Sequence, residues 1–315
     1  MHNANQSGRP VRFLFFLACV LPIVPLVASL PPPPIAFRVL NDFAHAPVFG
    51  AFTVVIFELL RRRTTWPAWA DTLSALVLAV VAGGIVELIQ PLLGRTGEFP
   101  DLATDAFGAA AGLAIAALLS PRRHWIHAIV LLVAASAVLK PVVGMSLAYG
   151  ERHRQFPALL EMSSRFDRFF LSSDGIRIAT VLLPEKWRRE GDPLSLELRM
   201  RGRELPSLTH AEPAQDWRGY TRLMVDLTNP DARPLALTLR VHDRAHDNET
   251  SDRFNHRFVL AGETRTVLAI PLDRVRQAPT SRELDLSRIA GVMLFGRKEQ
   301  TFRGRVFYLT RVWLE

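Results

Sequence analysis

Apolar and polar positions follow two different rules along this chain. Up to about residue 150, mostly apolar runs long enough to cross a bilayer alternate with short polar breaks. Five such runs stand out: Phe13 to Leu30, His45 to Leu60, Asp71 to Leu93, Leu102 to Leu119 and Trp125 to Ala148. The PPPP run from Pro31 to Pro34 stops the first, and Pro121 follows the fourth. From about Leu159 the period becomes two. LSLELRMR (194 to 201), YTRLMVDLTN (220 to 229), LALTLRVHD (235 to 243), RFNHRFVLA (253 to 261), TRTVLAIPL (264 to 272), GVMLFG (291 to 296) and RVFYLTRVWLE (305 to 315) alternate or nearly so. NPDARP and LAGE punctuate them as turns. The pattern predicts a multidomain membrane protein. A transmembrane α-helical bundle of about five helices, 1–150, precedes an all-β jelly-roll sandwich, 158–315.

Positive charge predicts the orientation. Arg9 and Arg12, then Arg61 to Arg63, then Arg122 and Arg123 fall on one side of the five crossings, which makes that side cytoplasmic. The expected location is the bacterial cytoplasmic membrane, multi-pass, with a cytoplasmic N-terminus and a periplasmic or extracellular C-terminal domain. A signal peptide would leave the orientation unchanged, and the length and internal prolines of the first run favour a retained anchor. The net charge is +8, but its arginine clusters in the first half follow apolar runs as topology signals do and no nucleic-acid-binding signature is present, so nucleic acid is not an expected partner. Cys19 is the sole cysteine, which excludes an intrachain disulfide and a cysteine metal site.

Polar residues gather where the apolar runs meet the predicted outer side. Asp42 and His45 share a helix face at the expected start of the second helix, and Glu87 and Gln90 do so near the end of the third. Arg95 lies in the next loop, and Asp101 and Asp105 open the fourth helix, followed by the small-residue segment GAAAG, Gly108 to Gly112. Such groups either tie helices together as an ion-pair network or line a polar pocket. In the pocket reading, Arg95 takes a phosphate or carboxylate and His45 or Glu87 moves a proton. Carboxylates and imidazole also suit a metal. With a single histidine in the cluster and no His-x-x-x-His pair, neither a metal nor any other cofactor is expected.

The order Asp42-x-x-His45, Glu87-x-x-Gln90, Arg95, Asp101, Gly108 and Gly112 resembles the VanZ-like family of small bacterial membrane proteins, over about residues 10 to 120. Phe43 stands where that family often has Lys, and Asp105 where it commonly has Asn. The family takes its name from a protein associated with glycopeptide resistance, and the resemblance implies a cell-envelope role. The second half resembles galactose-binding-like jelly rolls of the carbohydrate-binding-module type, on DWRGYTRLMVDLTNP, LTLRVHD, IPL and LDLSRIAGVMLF. That resemblance implies binding of a sugar or another ligand.

The polar stretch HDRAHDNETSDRFNH supplies candidate glycan contacts in Asp243, His246, Asp247 and Asn248, with Arg257 just after it. Trp217 is a candidate stacking ring, although a tryptophan there fills a core equally well. A calcium ion on Asp243 and Asp247 would suit oxygen ligands, but the loop lacks EF-hand spacing. The expected partners are a membrane lipid or lipid-linked glycan and an extracytoplasmic glycan. An enzyme acting on a cell-wall or lipid-linked substrate is the alternative, and a structural anchor in an exopolysaccharide or secretion apparatus is another. Oligomeric state is not legible.

Overall fold

The computed structural model describes residues 13, 15–17, 19–21, 35–93, 99–121, 124–202, 205–296 and 302–315. The first predicted crossing therefore lies mostly outside the described residues, as does Arg95. The chain divides into two compact units, Met1–Met145 and Ser146–Glu315.

In the first unit, α1 (Ile35–Arg63), α2 (Ala68–Ile89) and α3 (Phe99–Leu118) pack on one another, and α4 (Trp125–Gln155) runs on into the second unit. Among the described residues, these four helices are long and apolar enough to cross a membrane. Helix α1 ends on Arg61, Arg62 and Arg63, cations that suit its C-terminal dipole. Thr64 then donates a 2.8 Å hydrogen bond to the buried carboxylate of Asp71, in the first turn of α2, and so fixes the turn between them. Helix α1 begins earlier than the apolar run indicates. Arg38, Asn41 and Asp42 dilute its hydropathy without breaking the helix, so Asp42 and His45 lie inside α1 rather than at its start.

Small residues bring α1 and α3 together. Ala46 and Gly50 on α1 face Gly108 and Gly112 on α3. A methyl group on Gly108 would lie 2.6 Å from the Ala46 Cα, and one on Gly112 would lie 2.8 Å from the Gly50 Cα. Phe49 and Phe52 fill the packed interior beside this crossing.

The second unit is an antiparallel β-sandwich. One sheet runs in the order β3 (Ile176–Val181), β4 (Ser195–Met200), β11 (Val306–Leu314), β6 (Arg222–Asn229), β9 (Thr264–Pro271), with β1 (Ala158–Glu161) also pairing with β11. The other runs β2 (Leu171–Asp174), β5 (Ser207–Ala211), β10 (Ile289–Gly296), β7 (Leu235–Asp243), β8 (Phe254–Leu260). Alternation decides which side chains turn inward: Leu223, Val225 and Leu227 on β6 and Leu237, Leu239 and Val241 on β7 form the core between the sheets. One helical turn, α5 (Leu272–Arg276), follows β9. The fold class is thus the one the periodicity predicts, helices and then a sandwich.

Asn229 anchors both turns named above. Its amide donates to the carbonyls of Arg233, Leu260 and Ala261 at 3.0, 3.3 and 3.1 Å, joining NPDARP to LAGE.

Candidate functional sites

The helical unit holds a buried polar cluster. His45, one residue before Ala46 on α1, faces Asp105, three residues before Gly108 on α3, so the α1–α3 crossing sets the pair. Its Nδ1 lies 3.0 Å from Asp105 Oδ1, with His45 2% and Asp105 1% exposed. Gln90, at the end of α2, is 1% exposed. Asp101 is buried one turn before Asp105, and Glu87 and Asp42 are half-buried. Asp101 and Glu87 lie within electrostatic reach of the His45 ring. The structure therefore brings His45, Glu87, Asp101 and Asp105 into one neighbourhood, drawn from three helices. Lys140, on α4, is exposed and belongs to no such group.

The loop end of the sandwich departs from expectation. Asp243 is buried and tied to Arg282, which donates from Nη1 at 2.6 Å and Nη2 at 2.8 Å, and it also accepts from the backbone of Asp285. The same guanidinium grips Asp252 at 2.5 and 3.0 Å. These bonds hold the Asp252 carboxyl down to about 2. Asp243 is therefore a clamp for the segment after α5, and its oxygens are committed to that clamp rather than to a sugar or a calcium ion. His246 packs beside Asp252, with Nδ1 3.0 Å from the Asp252 carbonyl. Asp247 and Asn248 sit in an exposed turn, where Asp247 caps the Glu249 N–H and Asn248 adopts φ 74°. Trp217 is 0% exposed and donates its indole N–H to the Ala214 carbonyl at 2.6 Å. It belongs to the sandwich core and presents no face for stacking.

Arg257 lies elsewhere, on the outer face of the five-stranded sheet. The pairing registers align Asp174, Ser207, Phe295, Thr238 and Arg257 in one row across all five strands. Two residues along each strand, Ser172, Thr209, Met293, Arg240 and Asn255 form a second row. At an inter-strand spacing near 4.8 Å each row spans about 19 Å. The Arg240 guanidinium lies over the Phe295 ring, 4.9 Å from its centroid. Beyond them the His242 ring covers Gly291, where a Cβ would meet it at 2.5 Å, and burial beside His246 and Arg240 pushes its pKa down to about 4. Apart from Arg257, the residues of these two rows are not among the candidate glycan contacts of the polar stretch. The outward positions of LALTLRVHD and GVMLFG carry the signal of this face.

His210, on β5, faces inward and stays neutral, its pKa pushed down to about 3 by burial and by Arg152. An unfolded histidine protonates below about 6.5, so this stability is complete above that pH and falls as pH drops toward the folded value. Acidification from pH 7 to pH 5 should cost the sandwich about 2 kcal/mol through this residue. His210→Phe should flatten that acid slope in thermal melts, and an unchanged slope would refute the assignment.

No family model matches the chain, and no curated protein matches it. Solved structures similar to it align with its second half. One is a family 11 carbohydrate-binding module from Clostridium thermocellum in complex with a β-1,3-1,4-mixed-linked tetrasaccharide, at 13% identity and TM-score 0.37, covering 50% of this chain and 93% of that one. Another is an exo-β-agarase, at 14% and 0.40, covering 50% of this chain and 24% of that one. A third is the CBM22-1 xylan-binding domain from Paenibacillus barcinonensis, at 10% and 0.31, covering 46% and 85%. At such values the assignment of a β-sandwich rests on this chain's own strand order and register.

Proposed function

We propose that the chain is a multi-pass membrane protein of the bacterial cell envelope whose sandwich, on the outer side, binds glycan across the outer face of the five-stranded sheet. The observation that carries this reading is the pair of cross-strand rows, with Phe295 and Met293 on the central strand and hydrogen-bonding side chains on either side. An aromatic ring for the apolar face of a sugar, flanked by Arg240, Asn255, Thr209 and Arg257 for its hydroxyls, is the chemistry that carbohydrate requires. The orientation is supported by Arg61 to Arg63 at the end of α1 and by the Arg122 and Arg123 pair after α3. In the same reading the partner of the helical cluster is a lipid-linked glycan, consistent with the resemblance of its residue order to the VanZ-like family.

Binding of the full chain to bacterial oligosaccharides on an array is the test. Arg240→Ala and Phe295→Ala should each weaken binding about tenfold or more, the scale of a lost buried stacking or charged contact. A blank array with the native chain, or binding untouched by both changes, would remove the reading.

A second reading, an enzyme, is favoured by the His45–Asp105 pair, in which a carboxylate orients an imidazole. It predicts that His45→Ala leaves the protein inserted and abundant while abolishing its cellular effect. Loss of abundance instead would mark the pair as structural.

A further inference from the structure

The polar cluster of the helical unit holds more hydrogen-bonding atoms than the surrounding protein satisfies. With His45 Nδ1 committed to Asp105 Oδ1, the other ring nitrogen, Nε2, is buried with no hydrogen-bond partner. Asp105 Oδ2 and both amide atoms of Gln90 are in the same position. Leaving such atoms bare in an apolar interior is costly, so native structures seldom do it without a ligand or water. Asp105 Oδ2 is turned toward α2, because a Cβ on Gly83 would lie 2.7 Å from it. Glu87 is one turn further along that helix. One nitrogen of His45 and one carboxylate oxygen each from Glu87 and Asp105 lie within 4.8 Å of one another.

Ligand atoms sharing one ion at bond lengths near 2.1 Å sit about 3 to 4 Å apart, so small side-chain rotations would close this triangle. Two carboxylates beside an imidazole, gathered in an apolar helix bundle, are also a donor set that a dication complements. We infer that His45, Glu87 and Asp105 bind a divalent cation between α1, α2 and α3. One imidazole with two carboxylates suits manganese, ferrous iron or zinc better than calcium, which prefers oxygen alone. The inference is independent of glycan binding by the sandwich.

The test uses the full chain, purified in mild detergent without chelator. Elemental analysis should find about one equivalent of a divalent transition metal. Protein stripped with EDTA should rebind manganese or zinc saturably, with a rise in melting temperature. Asp105→Asn and His45→Gln should each lower occupancy about tenfold or more, while Arg240→Ala in the sandwich leaves it unchanged. If either cluster variant fails to fold, stripping and rebinding of the native chain still decides. A native chain with no metal and no saturable rebinding overturns the proposal, and so does metal retained equally by folded forms of both variants.

Discussion

Gly112→Leu should abolish the folded helical unit. The side chain would enter α1 at Gly50, where even a methyl group lies 2.8 Å from the Cα, and backbone cannot move aside as a flexible side chain can. Overpacking of this kind costs about 3 kcal/mol or more, and it falls where small residues let α1 and α3 touch backbone to backbone. The yield of monodisperse, detergent-purified protein should fall about tenfold or more, the scale of a loss near 1.4 kcal/mol or greater. Gly108→Leu should do the same at Ala46. Gly84→Ala is the control: a Cβ there meets nothing within 4 Å, and alanine favours the helix, so stability should hold or rise slightly. Normal yield from Gly112→Leu would show that the α1–α3 crossing is not as described. The crossing also sets the spacing of His45 and Asp105, so a milder change, Gly112→Ala, should perturb the polar cluster before it unfolds the unit.

Arg265→Met should be the most damaging single polar change in the sandwich. Arg265, with a side chain 6% exposed, bridges Asp226 on β6 and Asp192 in the loop before β4. It donates to Asp192 from Nη1 at 2.5 Å and Nη2 at 2.8 Å, to Asp226 from Nη2 at 2.6 Å, and to the Trp187 carbonyl at 2.8 Å. Removing the cation leaves two carboxylates facing each other with little water, a loss of about 3 to 5 kcal/mol. For a unit of this size that corresponds to a melting temperature lower by about 10 °C. The double change Arg265→Met with Asp226→Leu should recover much of it, because the uncompensated charge is the chief penalty. Arg265 holds the Asp192 carboxyl below the usual range, so this contribution is present above the unfolded pKa and is lost as pH falls through the folded one. Arg265→Met should therefore lose less stability on acidification than the native chain does. A melting temperature within 2 °C or so of native would contradict the clamp.

Much of this architecture is legible in the sequence. Strands β4, β6, β7, β8, β9, β10 and β11 coincide with runs whose alternation is enforced by one buried face. Strands β1 and β2 are not legible, because four residues such as ALLE and LSSD are too few to establish a period. Strand β5, SLTHA, hides because its inward position carries His210, a residue whose neutrality depends on the fold. Edge strand β3, IRIATV, has little buried surface to impose a pattern.

The candidate sites divide in the same way. Helical spacing places Glu87 with Gln90 and Asp101 with Asp105, but that His45 meets Asp105 across sixty residues follows from the glycine crossing, which is a tertiary fact. In the sandwich, a density of polar letters drew attention to Asp243, whose partner Arg282 is 39 residues away. Trp217 shows the converse: the letter is the same for a core residue and for a stacking platform, and only its burial separates them. The sheet-face rows appear once the register of β7, β8 and β10 is known, since each strand contributes only one or two members.

The most direct measurement of the central claim is hydrogen–deuterium exchange on the full chain, with and without an oligosaccharide selected from the array. Glycan seated on the sheet face should slow exchange in β7, β8 and β10, around Thr238 to Arg240, Asn255 to Arg257 and Met293 to Phe295, and leave β3, β4 and β9 unchanged. Protection confined to the exposed turn of Asp247 and Asn248, or to the opposite sheet, would contradict the account.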